Sequence, residues 1–168
     1  MKSDWTMSEA FVLGISTELA QQIRDHGAGT YPHECCGALL GRDDAFTNGS
    51  GASEEENRVK RNVFSLFTLV NRRDDSPRNR FMVTAEDVRA AELAAQEQGL
   101  DIIGWYHSHP DHPARPSEYD RDHAWPWYSY IIVSVNQGRP EEMTSWRLHD
   151  DRQEFSFEEI EIRQHVAI

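Results

Sequence analysis

The sequence predicts an α+β fold, a layered α/β sandwich around one sheet. Three observations point there. Apolar runs of strand length recur along the chain, few stretches read as capped helices, and the two kinds of element are intermixed. At 168 residues the chain is expected to form one domain with a real hydrophobic core. That domain is taken as 11–168, preceded by a flexible polar leader over 1–10.

Phe11-Val12-Leu13-Gly14-Ile15 is a short apolar strand. Ser16 or Thr17 can cap the helix that follows, which is expected to run to about His26 with Leu19, Ala20 and Ile23 facing the core. Gly27 and Gly29 are expected to end it, and Pro32 to prevent its resumption. Cys36-Gly37-Ala38-Leu39-Leu40-Gly41 is a buried strand. The polar stretch 42–58, rich in Gly, Ser and Glu, is a solvated connection or a flap beside a site. Residues 59–70 alternate well enough for a long strand. Residues 71–80 form a charged turn and 81–83 a brief strand. Thr84 and Asp87 have the spacing of a capping box for a second helix, with Val88, Ala91 and Ala95 on its inner face and Gly99 as its stop. Residues 100–106 are strongly apolar and extended. Strands over 128–135, 143–148 and 155–162 complete the set, with a turn at Gln137-Gly138.

The formal net charge of -12 argues against binding a phosphate backbone, so no nucleic-acid partner is expected. No run approaches the length of a transmembrane helix, and residues 1–10 lack the apolar core of a signal peptide, so no membrane association is expected either. The only two cysteines, Cys35 and Cys36, are adjacent. Without a framework of distant pairs, a reducing, cytoplasmic setting follows. The sequence leaves the oligomeric state open.

Chemistry concentrates in Tyr106-His107-Ser108-His109-Pro110 and, at fixed distance, Ser117-Glu118-Tyr119-Asp120. Two histidines one residue apart in an extended segment project toward the same face. A lone loop histidine would be read as a surface group. A pair leaving a buried strand, with Pro110 stiffening the exit, favours a metal, for which neutral imidazole is the commonest ligand. Asp120 is the best third ligand. Two histidines and a carboxylate leave a fourth position open, which is the composition of a catalytic zinc site. Asp120 has a competing explanation, because Ser117 as N-cap with Asp120 at the third helical position is also a helix start. By spacing alone the two readings are even. The joint pattern His-x-His-Pro-x₆-Ser-x-x-Asp, expected by chance on the order of once in 10⁴ chains of this composition, tips the balance toward the metal.

His112 and His123 are rival ligands ranked below Asp120. His123 sits one helical turn after Asp120 on the same face, and His112 lies in a loop between Pro110 and Pro113. Glu34 follows a helix-breaking proline and precedes a buried strand; on its own it reads as a solvated loop carboxylate. A small packing role suits Cys36 better than that of a soft metal ligand. Trp125-Pro126-Trp127-Tyr128 reads first as core closure and second as a cleft wall.

Glu34, His107, His109, Pro110, Ser117 and Asp120 together fill every position of a pattern that resembles the JAMM (MPN+) zinc metallopeptidases. The resemblance runs from about residue 15 to residue 162. Pro32-His33-Glu34-Cys35-Cys36-Gly37 and Gly104-Trp105-Tyr106-His107-Ser108-His109-Pro110 are similar to the short bacterial branch in particular. It implies a curved mixed sheet flanked by helices, related in outline to the cytidine deaminases. The deaminase signature itself is absent, as is the His-Glu-x-x-His of the zincins. The resemblance further implies that His107, His109 and Asp120 hold Zn²⁺, that Glu34 is the general base, and that Ser117 donates a hydrogen bond to the water or the oxyanion. The implied activity is hydrolysis of a peptide or isopeptide bond at the C-terminus of a ubiquitin-like or sulfur-carrier protein with a Gly-Gly tail. Such a tail could bind by adding a strand. Two other functions compete: a non-catalytic MPN-type scaffold, disfavoured by the complete ligand set, and a general zinc peptidase on free peptides.

Overall fold

The computed structural model describes residues 11–43, 59–70 and 83–164. The expected leader, nearly all of the polar stretch 42–58, the charged turn and most of the strand expected over 81–83 lie outside the described residues. Among the described residues the order of elements is β1 (Phe11–Ser16), α1 (Thr17–Thr30), β2 (Cys36–Asp43), β3 (Val59–Leu69), α2 (Ala85–Glu97), β4 (Asp101–Pro110), α3 (Glu118–His123), β5 (Ser129–Asn136), β6 (Arg139–Leu148) and β7 (Phe155–Arg163).

These elements do not build the expected α+β sandwich, nor the curved mixed sheet flanked by helices that the resemblance implies. The strands close into a barrel in the order β1-β3-β2-β4-β5-β6-β7. Strand β1 makes the closure. It pairs parallel with β3, Phe11 opposite Val59, and parallel with β7, Val12 opposite Glu159. With both of its edges occupied, the sheet keeps no open edge. Val12 to Ser16 are all buried, which is why this strand reads as an unbroken apolar run rather than an alternating one. Partners so distant in sequence leave no local trace, so the strands are visible in the sequence and their closure is not.

Two helices pack on the strands through short apolar stripes. Ser16 Oγ accepts the Leu19 N–H at 3.1 Å and starts α1. Its Ala20 and Ile23 are buried in one cluster with Leu13, Ile15, Leu39 and Ile131; burying a side chain such as Ile23 contributes about 2 kcal/mol. The helix does not stop near His26 but continues through Gly27 and Gly29 to Thr30. A Cβ on Gly27 would meet Val135 Cγ2 at 3.0 Å and Ser108 Cβ at 3.4 Å. Gly27 therefore serves close approach of helix to sheet, and termination falls to Tyr31, held extended ahead of Pro32.

Helix α2 begins with the expected capping box. Thr84 Oγ1 accepts the Asp87 N–H at 3.1 Å, and Asp87 Oδ2 accepts the Thr84 N–H at 3.0 Å. Gly99, at φ 67°, ends it: the Gly99 N–H donates to Gln96 O and the Leu100 N–H to Ala95 O. Ala91 and Ala95 pack with Ala38, Leu40, Trp105 and Tyr130 in a second cluster.

Two arginines that nothing in the local pattern singles out are buried in the wall. Arg61 Nε donates to Asp43 Oδ1 at 2.7 Å, and its Nη1 reaches the carbonyls of Ile103 and Trp127. Arg147 Nε donates to Glu158 Oε2 at 2.6 Å, while Ser145 Oγ donates to the other carboxylate oxygen. In the Arg147–Glu158 pair, where both side chains are buried, removing one partner strands a buried charge, at a cost of about 3–5 kcal/mol.

Candidate metal centre

His107 and His109 both lie within β4, which extends to Pro110 rather than ending at Tyr106. Alternation along the strand puts the two rings on one face, with centroids 4.9 Å apart. Strand β5 runs parallel to β4, with Gly104 opposite Ser129 and Pro110 opposite Val135. The chain leaving Pro110 must therefore travel back along the sheet before β5 can start. That crossover contains α3 and carries Asp120 back to the two histidines.

The first part of the crossover is tied to the barrel residue by residue. Asp111, at φ 58°, accepts from the Tyr31 hydroxyl and from the Gln137 N–H, each at 2.8 Å. Ser134 Oγ donates to His112 O at 2.7 Å, and Thr144 Oγ1 to Ala114 O at 2.6 Å. Ser117 then caps α3. Its Oγ accepts the Asp120 N–H at 3.1 Å, and Asp120 Oδ2 accepts the Ser117 N–H at 2.8 Å. The helix-start reading of Asp120 holds, and the same box aims its carboxylate at the histidines.

Asp120 Oδ1 stands 3.2 Å from His107 Nε2, Asp120 Oδ2 stands 3.2 Å from His109 Nε2, and the two Nε2 atoms are 3.1 Å apart. Tetrahedral zinc with bonds of about 2.0–2.1 Å separates neighbouring ligand atoms by about 3.3 Å. The spacings between the two imidazole nitrogens and the carboxylate are of that size. His109 Nδ1 lies 2.9 Å from Pro113 O. A carbonyl only accepts, so Nδ1 carries the proton and Nε2 turns its lone pair toward the centre. Burial by itself would raise the Asp120 carboxyl; with the imidazoles protonated, the charges and hydrogen bonds of His107 and His109 outweigh it and hold the group well below the usual carboxylate range. In the ligating tautomer a cation takes over that role, and a carboxylate ligand is ionised. These three residues are the one group of metal-ligating type found among the described residues.

Glu34 reaches the site through strand register. Strands β2 and β4 are antiparallel, with Cys36 opposite His107. One step on, the Cys35 N–H donates to Ser108 Oγ at 2.8 Å and the Ser108 N–H to Cys35 O at 3.2 Å. Continuing that register sets Glu34 across from His109. Glu34 is only 5% exposed, and with His109, His112 and Ser117 it lines a cavity of 570 Å³. It is not the solvated loop carboxylate that spacing suggests, because the pairing that buries it is tertiary.

The rival ligands fall elsewhere. His112 lines the cavity without joining the donor triangle. His123 Nδ1 bonds the Tyr119 carbonyl of its own helix, and its ring stacks on Tyr119 at 3.9 Å. Cys35 and Cys36 are both buried, and burial pushes their thiols up to about 11 and about 12, as suits packing groups. Trp125 and Trp127 are 64% and 51% exposed, so they do not close the core. Trp125 and Tyr128 instead wall a smaller cavity of 250 Å³ together with Tyr119 and His123. Two participants escaped the sequence reading: the Pro113 carbonyl that orients His109, and Arg115, which lines the larger cavity. An arginine inside the six-residue spacer of the motif was the available signal for the second.

Comparison with known proteins places this geometry in a class. Residues 16–149 match the family described as prokaryotic homologs of the JAB domain, and the chain belongs to that family. The JAMM resemblance carried by the motif therefore holds. One relative is a desampylase of Haloferax volcanii, 33% identical over 117 residues, which cover 69% of this chain and 73% of the relative. Among solved structures, a protein from Salinibacter ruber is 44% identical with a TM-score of 0.63, over 88% of this chain and 89% of that one. A protein from Desulfitobacterium hafniense is 27% identical with a TM-score of 0.72, over 92% and 94%. Among the described residues no helix is long and apolar enough to cross a membrane.

Proposed function

We propose that this protein is a zinc-dependent hydrolase that cleaves a peptide or isopeptide bond at the C-terminus of a ubiquitin-like or sulfur-carrier protein ending in Gly-Gly. The observation that carries the reading is the cluster of His107 Nε2 and His109 Nε2, 3.1 Å apart, with the Asp120 carboxylate 3.2 Å from each through its two oxygens, beside a cavity lined by a buried glutamate. The similarity to a desampylase supports the substrate class.

His107, His109 and Asp120 would hold the ion. Zinc at that position supplies Lewis acidity toward a carbonyl and lowers the pKa of a water to about 7. Glu34 takes the proton of the attacking water and passes it to the departing nitrogen. The water oxygen ends on the carbonyl carbon, the C–N bond breaks, and the amine leaves neutral. Ser117 Oγ already accepts the Asp120 N–H, so its own hydrogen is available to the developing oxyanion. The Pro113 carbonyl keeps His109 in the ligating tautomer.

The test uses the full chain loaded with zinc and a ubiquitin-like fusion with a Gly-Gly junction. About one zinc per chain, loss of cleavage on chelation and recovery on zinc addition are expected. Glu34→Gln should keep the metal and lose turnover. Full activity in that variant would remove Glu34 from its role, and cleavage indifferent to chelation would remove the metal.

A further inference from the structure

Glu34 and His109 sit between two ties that join the same two stretches of chain. On one side, the Cys35 N–H donates to Ser108 Oγ at 2.8 Å and the Ser108 N–H to Cys35 O at 3.2 Å. On the other side, the Tyr31 hydroxyl donates to the Asp111 carboxylate, at 2.8 Å from Oδ2 and 3.1 Å from Oδ1. Both ends of this second tie are anchored. The Tyr31 ring packs against the core cluster that holds Ile23 and Val135, and its N–H donates to Gly27 O at 3.2 Å. Asp111 is fastened to the turn between β5 and β6: its N–H donates to Val135 O at 2.8 Å, and its Oδ1 accepts the Gln137 N–H at 2.8 Å. Between Tyr31 and Glu34 the chain is closed on itself. The His33 N–H donates to Thr30 O at 2.8 Å, and Thr30 Oγ1 donates to His33 O at 3.2 Å. A shift at Tyr31 is therefore passed on to Glu34. Asp111 lies at φ 58°, a conformation that glycine adopts freely and other residues resist. The sequence nevertheless sets a carboxylate there, and that carboxylate makes the contacts.

We propose that Tyr31 and Asp111 are positioning residues for the hydrolysis: the bond between them fixes the Glu34 carboxylate relative to the histidines of β4. This rests on the hydrolase reading above, in which Glu34 carries the proton. Neither Tyr31 nor Asp111 is among the residues lining the cavity, so both act through the chain. A general base has to stand within about 2.6–3.2 Å of the atom whose proton it takes. Misplacing such a group by about 1 Å can cost about 10²-fold in rate. The Cys35–Ser108 tie alone would leave Glu34 a point to pivot on, and the second tie removes that freedom. Core packing already places the Tyr31 ring, so little further side-chain entropy is lost in making the bond. A carboxylate acceptor makes it one of the stronger kind.

The experiment compares rate, zinc affinity and structure in the zinc-loaded full chain, with a ubiquitin-like fusion carrying a Gly-Gly junction as substrate. Tyr31→Phe keeps the ring and removes the hydroxyl. Asp111→Gly removes the carboxylate and suits the backbone at φ 58°. Each should lower kcat by about tenfold or more, with KM and zinc affinity within about twofold of wild type. The double variant should be no slower than the slower single variant, because each breaks the same bond. Asp111→Asn should recover kcat to within about threefold of wild type, since its amide oxygen accepts the Gln137 N–H and its NH₂ donates to the Tyr31 hydroxyl. Crystals of zinc-loaded Asp111→Gly should show Glu34 displaced by about 1 Å or more, with His107, His109 and Asp120 in place. Rates within about threefold of wild type in both single variants, losses that multiply in the double, or no recovery in Asp111→Asn overturn the proposal. So does a fall in zinc affinity that parallels the fall in rate, or Glu34 unmoved in the crystals. If the wild-type zinc protein cleaves no Gly-Gly junction, it is the hydrolase reading that fails, and the position of Glu34 in the Asp111→Gly crystals still decides whether the tie holds it.

Discussion

Ser117→Ala separates two jobs that one hydroxyl holds. As N-cap of α3, Ser117 Oγ accepts the Asp120 N–H at 3.1 Å, and losing such a cap costs about 1 kcal/mol. In a domain of this size that lowers the melting temperature by about 2–4 °C. As a donor to the oxyanion, the same hydroxyl is worth about 10²–10³ in kcat. Ser117→Gly sharpens the comparison, because glycine at an N-cap costs only a few tenths of a kcal/mol yet removes the donor just as fully. Both variants keep the Ser117 N–H that holds Asp120 Oδ2 at 2.8 Å, so zinc content should stay near wild type. The assay is kcat on a Gly-Gly-tailed substrate at saturation, beside calorimetric melting and bound zinc in the same preparations. Similar, large losses of rate in both variants with unequal losses of stability are expected. Rate loss that scales with melting temperature, or less than about fivefold in both against the 10²–10³ that a lost oxyanion donor costs, would reduce Ser117 to a helix cap.

Other expected outcomes test neighbouring parts of the account. Asp120→Ala should weaken zinc by more than the roughly 10–100-fold that loss of an outer hydrogen-bond partner costs; titration against a competing chelator reads it, and unchanged affinity would exclude the carboxylate as a ligand. Gly37→Ala would place a Cβ 2.2–2.4 Å from Tyr106 ring atoms that are wholly buried. The overpacking should cost about 1–3 kcal/mol in denaturant melts, and a neutral result would mean that the ring moves freely. Burial holds the His26 imidazole below its ordinary value, so the unfolded chain takes up the proton more readily. Its contribution to stability is present above about pH 6.5 and lost on acidification. Between about pH 7 and pH 5, His26→Gln should lose less melting temperature than wild type; parallel slopes would contradict the assignment.

What the sequence made legible was local. Ser16, Thr84 with Asp87, and Gly99 announce helix ends because the groups that satisfy the terminal N–H and C=O lie within a few residues. His107 and His109 share a face because strand alternation needs no partner to be read. Failures lie where a second element decides. Gly27 looks like a helix stop until Val135 and Ser108 are seen packed against it. Closure of the barrel depends on β1 meeting both β3 and β7, pairings that no window of sequence contains. The burial of Glu34 depends on Cys36 standing opposite His107. Asp120 was ambiguous for a different reason: a capping carboxylate and a metal ligand have the same spacing, and here the carboxylate that closes the capping box also lies beside both histidines.

The most direct test of the central claim is anomalous diffraction at the zinc edge from crystals of the zinc-loaded protein. One strong peak is expected within bonding distance of His107 Nε2, His109 Nε2 and a carboxylate oxygen of Asp120, facing the cavity that Glu34 lines. A peak held by other side chains, or Asp120 turned away from the ion toward solvent, would contradict it.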